Sequence, residues 1–354
     1  MNNLKIKNFW KGKKVFITGH TGFKGSWLCL LLKHLGANVT GYSLKPFNKK
    51  NLFYEAKIKN LIDKSIIADI RNKKKLFNEL KNSKANIVFH LAAQALVRES
   101  YLNPINTFET NIIGTVNILD CISKINSIKS SVIITSDKVY DIKKNKIFKE
   151  TDLLGGIDPY SASKVCCEHV FQAYVNSFFK TNRKKTIATA RAGNVIGGGD
   201  YSKDRLIPDI IKFVKLKRKI LIRNPKSTRP WQHVLDPISG YINLAEKLFK
   251  NKFSQTHSWN FGPDIQNCKT VKYIANRIAL KTKSKIKIIN EKTDLYKKET
   301  GLLRLDNNKA KKILKWYPKW SLDYSIQKIL EWNFKNKKTN KRQVCLDQIK
   351  DYLS

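Results

Sequence analysis

The sequence predicts an α/β protein: a doubly wound parallel sheet with helices on both faces, followed by a smaller mixed α/β domain. Three observations carry this prediction. Short apolar runs of strand length alternate with longer segments of helical period. A glycine-punctuated loop, Gly19-His20-Thr21-Gly22-Phe23-Lys24-Gly25, follows the first of these runs at once. Beyond about residue 192 the pattern breaks into short apolar pieces, separated by Gly197-Gly198-Gly199-Asp200, Asn224-Pro225 and Gly262-Pro263.

Taken in order, Lys13 to Thr18 reads as a buried strand and Trp27 to Leu35 as a helix with an apolar face. Asn38 to Leu44 is a second strand, and Ser65 to Ala68 a third that ends at Asp69-Ile70-Arg71. A charged amphipathic helix over Asn72 to Leu80 precedes a fourth strand, Asn86 to Leu91. A long helix covers about Ile105 to Ser123, and Ser131 to Thr135 is the fifth strand. Pro159 to Phe179 is helical, and Ile187 to Arg191 is the sixth strand. The expected division is residues 1–191 plus about 234–263 for nucleotide binding, and 192–233 plus about 264–354 for the substrate. Lys335 to Arg342 reads as a linker before a last short helix.

Composition narrows the function. At 354 residues with 42% hydrophobic content, the chain buries a large core and is not a disordered polymer. The start, Met1-Asn2-Asn3-Leu4-Lys5, leads into no apolar leader. The run Trp27 to Leu32 is far too short to span a bilayer, so a soluble cytoplasmic protein without a membrane partner is expected. Six cysteines, Cys29, Cys121, Cys166, Cys167, Cys268 and Cys345, form no C-x-x-C pair. They read as reduced, mostly core residues, and no metal site is expected. The net charge of +42 invites a polyanion, but 58 of the 69 basic residues are lysines spread along the whole length. No zinc finger, basic zipper or RNP pattern accompanies them, so no specific nucleic-acid partner is expected. The same field draws anionic small molecules inward.

A glycine loop between a strand and a helix lets backbone N–H groups approach a pyrophosphate, with the positive end of the helix behind them. The Gly19, Gly22 and Gly25 spacing, placed between the first strand and the first helix, therefore predicts a Rossmann-type dinucleotide site. The expected ribose-binding acid is missing, because no Asp or Glu lies between Gly25 and Glu55. Ser43 can hydrogen-bond a ribose hydroxyl, and Lys45 equally suits a 2′-phosphate, so NAD and NADP both stay open. Asp69 with Ile70, at the end of the third strand, either faces an adenine or caps the next helix.

Two clusters carry the chemistry. Ser136-Asp137-Lys138 follows the apolar run Val132-Ile133-Ile134-Thr135, and Tyr160 with Lys164 opens the helix after Pro159. Tyr160 and Lys164 are four apart and share a helix face. A phenol with an ordinary pKa of about 10 is a weak base near neutrality, and a neighbouring ammonium is expected to lower it. Tyr160 then takes a proton from a sugar hydroxyl while hydride leaves the same carbon, Ser136 donates to the same oxygen, and Lys164 holds the nicotinamide ribose.

These residues resemble the extended short-chain dehydrogenases/reductases, and within them the CDP-glucose branch of the nucleotide-sugar 4,6-dehydratases. The resemblance spans nearly the whole chain. It rests on Thr18 to Gly25, His90-Leu91-Ala92-Ala93-Gln94, Thr135 to Lys138, Tyr160 with Lys164, Arg191 to Asp200, and Arg229-Pro230-Trp231-Gln232-His233-Val234. It implies that Gly19, Thr21, Gly22, Phe23, Lys24, Gly25, Leu91, Ala92, Ala93, Gln94 and Asn111 lie at a bound NAD. It also implies Asn194 and Arg229 at the substrate diphosphate, with Arg205 and Arg223 as helpers. A guanidinium fork suits phosphate oxygens. The implied reaction oxidises a sugar at C4, expels the C6 hydroxyl as water with Asp137 as acid, and returns hydride to C6. Many relatives carry Asp-Glu here with Glu as the C5 base. Lys138 stands in that place, either as a base of depressed pKa or as a stabiliser of the enolate. Tyr201 replaces an expected tryptophan. The resemblance further implies a homodimer, CDP-glucose as nucleotide-sugar partner and deoxysugars for surface polysaccharide such as lipopolysaccharide O-antigen. The rival readings are another nucleotide-sugar dehydratase or 4-epimerase, and a non-enzymatic cofactor sensor or polyanion binder.

Overall fold

A computed structural model of the chain describes residues 3–46, 48–142, 146–180, 185–222, 224–250, 258–288, 303–334 and 340–354. Arg223, one of the expected phosphate ligands, lies outside the described residues.

The central sheet is built from β1 Lys14–Thr18, β2 Asn38–Ser43, β3 Lys64–Ile67, β4 Ile87–His90, β5 Ser130–Ile134, β6 Thr186–Arg191 and β7 Ser258–Asn260. Its order is β3-β2-β1-β4-β5-β6-β7, and every pairing is parallel. In β1, Val15 pairs with Val39 on one side and Ile87 on the other. Strands flanked on both sides and covered on both faces read as continuous apolar runs, as Val15-Phe16-Ile17 does. The order reverses between β1 and β4. A crevice opens there at the carboxyl ends of the strands, and both the glycine loop and the Leu91–Gln94 segment lie at it.

The main helices are α1 Asn3–Trp10, α2 Phe23–His34, α3 Lys73–Asn82, α4 Gly114–Lys124, α5 Pro159–Tyr174, α6 Leu206–Lys215, α7 Leu235–Phe249, α8 Val271–Thr282, α9 Leu322–Phe334 and α10 Lys341–Leu353. One face of the sheet packs against α2 and α7, with Trp27, Leu28, Leu31 and Tyr241 in that core. The other packs against α3, α4 and α5 around Phe16, Leu76, Ile118 and Phe171. Each fully buried leucine of α2 contributes roughly 1.5–3 kcal/mol over exposure. Helix α2 is apolar nearly all round because α10 covers its outer side.

Three details depart from the sequence reading. The expected helix over Ile105 to Ser123 contains a π-helical turn at Glu109–Ile113, and Val175–Phe179 forms another after α5. An extra residue in a turn shifts the face that follows, which no apolar period foretells. The short strand β7 and the first helix α1 carry too few periodic residues to have been predicted.

A third core lies beyond the sheet, where Ile207, Ile210, Ile220, Ile222, Trp231, Ile274 and Ile326 gather α6, α8 and α9. Ile220–Ile222 pairs in parallel with Ile286–Ile288, and Thr228–Pro230 runs antiparallel to Cys268–Thr270. This smaller lobe places Asn194, Arg205 and Arg229 over the end of β5. No helix among the described residues is long and apolar enough to cross a membrane.

Candidate active site

The glycine cradle comes first along the chain. Gly19 has φ +78°, a left-handed value that favours glycine, and a Cβ there would sit 2.8 Å from Ala92 N. A Cβ on Gly25 would lie 2.1 Å from the Gly19 carbonyl oxygen, so the helix start and the loop touch backbone to backbone. Gly22 caps α2 without any side-chain hydrogen bond, which leaves the first N–H groups of the helix open to an anion. A dinucleotide pyrophosphate fits this arrangement. The Thr21 hydroxyl bonds Ser43 Oγ at 2.9 Å and the Leu44 carbonyl at 2.9 Å, fixing the loop to the end of β2. Buried His20, which the sequence reading did not single out, bonds Ser65 Oγ at 2.8 Å beneath Gly41.

Farther out, Asp69 accepts a bidentate ion pair from Arg71, and Asn72, not Asp69, caps α3. Of the two alternatives for Asp69, helix capping is removed. Ile70 is buried against Gly114, where a Cβ would lie 2.8 Å from Ile70 Cγ2. On the β4 side, Leu91 and Ala92 donate their N–H groups to Thr18 Oγ1 at 3.1 Å, and Ala93 leads on to Gln94. Asn111, turned inward by the π turn, accepts from Gln94 N at 2.8 Å and donates to Gln94 O at 3.0 Å and Ser163 Oγ at 2.8 Å. Those bonds occupy its amide, so Asn111 anchors the loop to α5.

The reactive groups meet at the end of β5. Asp158 caps α5 by accepting from Ser161 N, and Pro159 occupies the first turn, where a missing N–H costs little. Tyr160, Lys164 and Glu168 then face the sheet at successive helical turns. Glu168 and Arg191 of β6 form a bidentate pair of 2.8 and 2.9 Å, both about 3% exposed, which locks α5 to the sheet. The sequence reading missed this pair, because only the fold brings residues 168 and 191 together. Lys164 donates to the Ile134 carbonyl at 3.3 Å, and burial lowers its pKa.

Ser136, Asp137, Lys138 and Tyr160 line one cleft with Lys24, Asn194, Arg205 and Arg229. Ser136 Oγ donates to Asp137 Oδ1 at 3.1 Å and accepts from Lys138 N at 3.2 Å. Burial raises the Asp137 pKa, while Lys138, the Ser136 hydroxyl, Lys24 and Arg229 pull against it without cancelling it. Among the described residues Asp137 Oδ2 is buried without a hydrogen-bond partner, and it presses on Gly193, where a Cβ would stand only 1.7 Å away. That makes Gly193 a site residue absent from the sequence reading. Tyr160 corrects an expectation. Its pKa is pushed up to about 12, chiefly by burial, with Ser136 and Arg205 drawing it down and Asp137 adding to the rise. Burial outweighs any neighbouring cation at the phenol, and the Lys164 ammonium engages the Ile134 carbonyl.

Lys24, expected at the cofactor, lines the same cleft, and burial followed by the charges of Arg205 and Lys164 lowers its pKa to about 8. Asn194 holds a left-handed φ of 40° at the cleft wall. Arg229 is buried with Nη1 on the Thr228 carbonyl at 3.0 Å, and Arg205 pairs with Asp200 at 3.2 Å. Tyr201 bonds Glu55 at 2.9 Å and meets Trp332 edge-on, so it serves packing at the rim.

The comparisons agree with this geometry. The chain matches the family model described as GDP-mannose 4,6 dehydratase over residues 16–329, and it belongs to that family. It is 43% identical over 354 residues to the CDP-glucose 4,6-dehydratase of Salmonella typhimurium (strain LT2), with 98% of each chain covered. It is 25% identical over 340 residues to the dTDP-D-glucose 4,6-dehydratase of Homo sapiens, covering 92% of this chain and 91% of that one. Its fold is that of the dTDP-glucose 4,6-dehydratase from Bacillus anthracis solved in complex with NAD, with a TM-score of 0.76 at 23% identity over 92% of this chain and 98% of that one.

Proposed function

We propose that this chain is a lyase that converts CDP-D-glucose to CDP-4-dehydro-6-deoxy-D-glucose and water, with NAD bound in the glycine cradle. The observation that carries the reading is the buried Asp137 carboxyl, hydrogen-bonded to Ser136 beside the Tyr160 phenol in a cleft rimmed by Arg205 and Arg229. A 4-epimerase needs the phenol but no acid at that place.

NAD held by the Gly19–Gly25 cradle would supply a hydride acceptor for C4 and a donor for C6, so the reaction has no net redox change. Tyr160 accepts the proton of the sugar 4-hydroxyl, and Lys164 holds the ribose side of the site. The resulting ketone acidifies the C5 proton. Asp137 then gives a proton to the departing C6 oxygen, and its raised pKa suits an acid used near neutrality. Lys138, half-buried at the same cleft, receives the C5 proton or steadies the enolate. Arg229, Arg205 and Asn194 bind the diphosphate of the substrate.

In this reading the lobes divide as 1–191 plus about 234–263 and 192–233 plus about 264–354. One refinement is that Leu314, Trp316, Cys345 and Tyr352 pack into the core under the sheet. The enzyme works in the cytoplasm as a homodimer, and its product supplies deoxysugars to surface polysaccharide. Exposed Ile105, Ile113 and Phe178, on the outer helical faces around the two π turns, support a paired surface.

Incubating the protein with CDP-, UDP-, dTDP- and GDP-glucose, with NAD or NADP, tests the assignment through the alkaline absorbance of the 4-keto product. Product from CDP-glucose with NAD is expected. A preference for another nucleotide, or no product from any, overturns it.

A further inference from the structure

A carboxylate is out of place in a cleft that takes a diphosphate, yet Asp200 lines it together with Arg205 and Arg229. The fold shows what that carboxylate does. The glycines before it have no room for side chains. A Cβ on Gly198 would stand 2.1 Å from Trp332 Cγ, and one on Gly199, whose φ is +82°, would stand 2.8 Å from Leu52 Cβ. The backbone is thereby pinned where Asp200 begins, and the Asp200 side chain is only 4% exposed. Its Oδ1 accepts from Ser202 N at 3.0 Å, and its Oδ2 accepts from Arg205 Nη1 at 3.2 Å. The Arg205 side chain is 34% exposed and lines the cleft. The pair is therefore asymmetric, with the acid sunk into the wall and the guanidinium open to a ligand. The neighbouring pair of Arg98 with Asp204, at 3.3 Å, is 42% and 40% exposed, and solvent screens it. Asp200 has no such screening, so its hold on Arg205 is firmer.

We infer that Asp200 is a positioning residue, whose buried carboxylate holds the Arg205 guanidinium in place for the diphosphate of the nucleotide sugar. This deepens the reading of the cleft as a nucleotide-sugar site and rests on it. A guanidinium carries several N–H donors in a planar fork, so one can engage Asp200 while others meet phosphate oxygens. An arginine fixed beforehand also spares the ligand the entropy of fixing it.

Two opposed effects make the role measurable. By charge alone, removing a carboxylate from an anion site tightens the binding of a diphosphate. By positioning, removing it loosens that binding, because Arg205 loses its hold. In Asp200→Asn the amide oxygen still accepts from Ser202 N, and the NH2 group then meets the Arg205 donor. The turn persists and the pairing does not.

The test is calorimetric titration of the NAD-loaded protein with CDP, together with steady-state turnover of CDP-glucose. Asp200→Asn is expected to weaken CDP binding about tenfold or more, the range of a lost charged hydrogen bond. KM should rise by a similar factor while kcat stays within about threefold. Arg205→Gln is expected to weaken CDP binding comparably. In that background Asp200→Asn should leave CDP binding unchanged or tighten it, since only a bare carboxylate remains to be removed. Asp200→Ser, smaller and also uncharged, should give the same signs, and unchanged NAD affinity shows that each variant is folded. Unchanged or tighter CDP binding in Asp200→Asn overturns the positioning role. So does an equal further loss on top of Arg205→Gln, which is the result for a residue that merely shapes the turn. Binding of UDP or dTDP in place of CDP overturns the CDP assignment alone, and the same cycle run with that diphosphate still decides the role of Asp200. No binding of any nucleoside diphosphate overturns the nucleotide-sugar reading itself.

Discussion

Replacing Gly193 by alanine is expected to stop water loss without unfolding the protein. The added Cβ would stand 1.7 Å from Asp137 Oδ2 and 2.2 Å from its Cγ. An ordinary contact between such atoms is about 3.4 Å, so the carboxyl must retreat by more than about 1.5 Å. A misplacement of about 1 Å at a reacting group costs on the order of a hundredfold in rate. The 4-keto absorbance assay should therefore show a kcat at least about a hundredfold below wild type. Gly193 does not have the left-handed φ that would itself exclude alanine, so the loss should not come from backbone strain. Thermal denaturation provides the control. Gly193→Ala should lose a few degrees in Tm, and the double variant with Asp137→Ala should regain them because the clash is gone. A Gly193→Ala enzyme with more than about a third of wild-type kcat would refute this geometry of the acid.

Three more outcomes follow from the same structure. Glu168→Gln leaves the Arg191 charge buried without its partner, and urea denaturation should show a loss of about 3–5 kcal/mol, whereas a loss under about 1 kcal/mol contradicts the lock on α5. Asp236 is fully buried, accepts from Tyr352 at 2.8 Å and has its pKa raised to about 7, first by burial. The folded state therefore holds a proton that the unfolded state releases near pH 4, so its contribution falls as pH rises from about 4 to 7. Asp236→Asn should flatten that slope, by up to roughly 4 kcal/mol, in denaturant titrations across this range; an unchanged slope counts against the assignment. Gly25→Ala drives a Cβ into the Gly19 carbonyl, and NAD titration followed by tryptophan fluorescence should show binding weakened at least about tenfold, while unchanged binding removes the cradle from the cofactor site.

Much of the fold was legible because its strands are buried on both faces. Val15-Phe16-Ile17 and Val132-Ile133-Ile134 read as strands, since a parallel strand covered by helices needs no polar alternation. The glycine loop was legible from its position between β1 and α2. Ser136, Asp137, Lys138 and Tyr160 were legible as chemical types, and the structure gathers them in one cleft. Their energetics were not. Tyr160 was expected to be acidified by Lys164, four residues away on the same face, but the distance along a helix does not tell where an ammonium points. Lys164 turns to the Ile134 carbonyl, and burial controls the phenol. Gly193 lacks any local signal, because its requirement comes from a carboxyl 56 positions away in sequence that only the β5 and β6 ends bring together. The side chain of Lys24 was expected at the cofactor. It lines the cleft with Ser136, Asp137 and Tyr160, which position in the glycine loop alone does not tell.

The central claim is that a hydride leaves one carbon of the sugar and returns to another while Asp137 releases water beside it. The direct measurement is to turn over CDP-glucose deuterated at C4 and read the product by NMR. Deuterium in the C6 methyl group of the product is predicted for wild type, with no such product from Asp137→Asn. Deuterium retained at C4, lost to solvent, or found in C6 at an undiminished rate with Asp137→Asn would contradict the account.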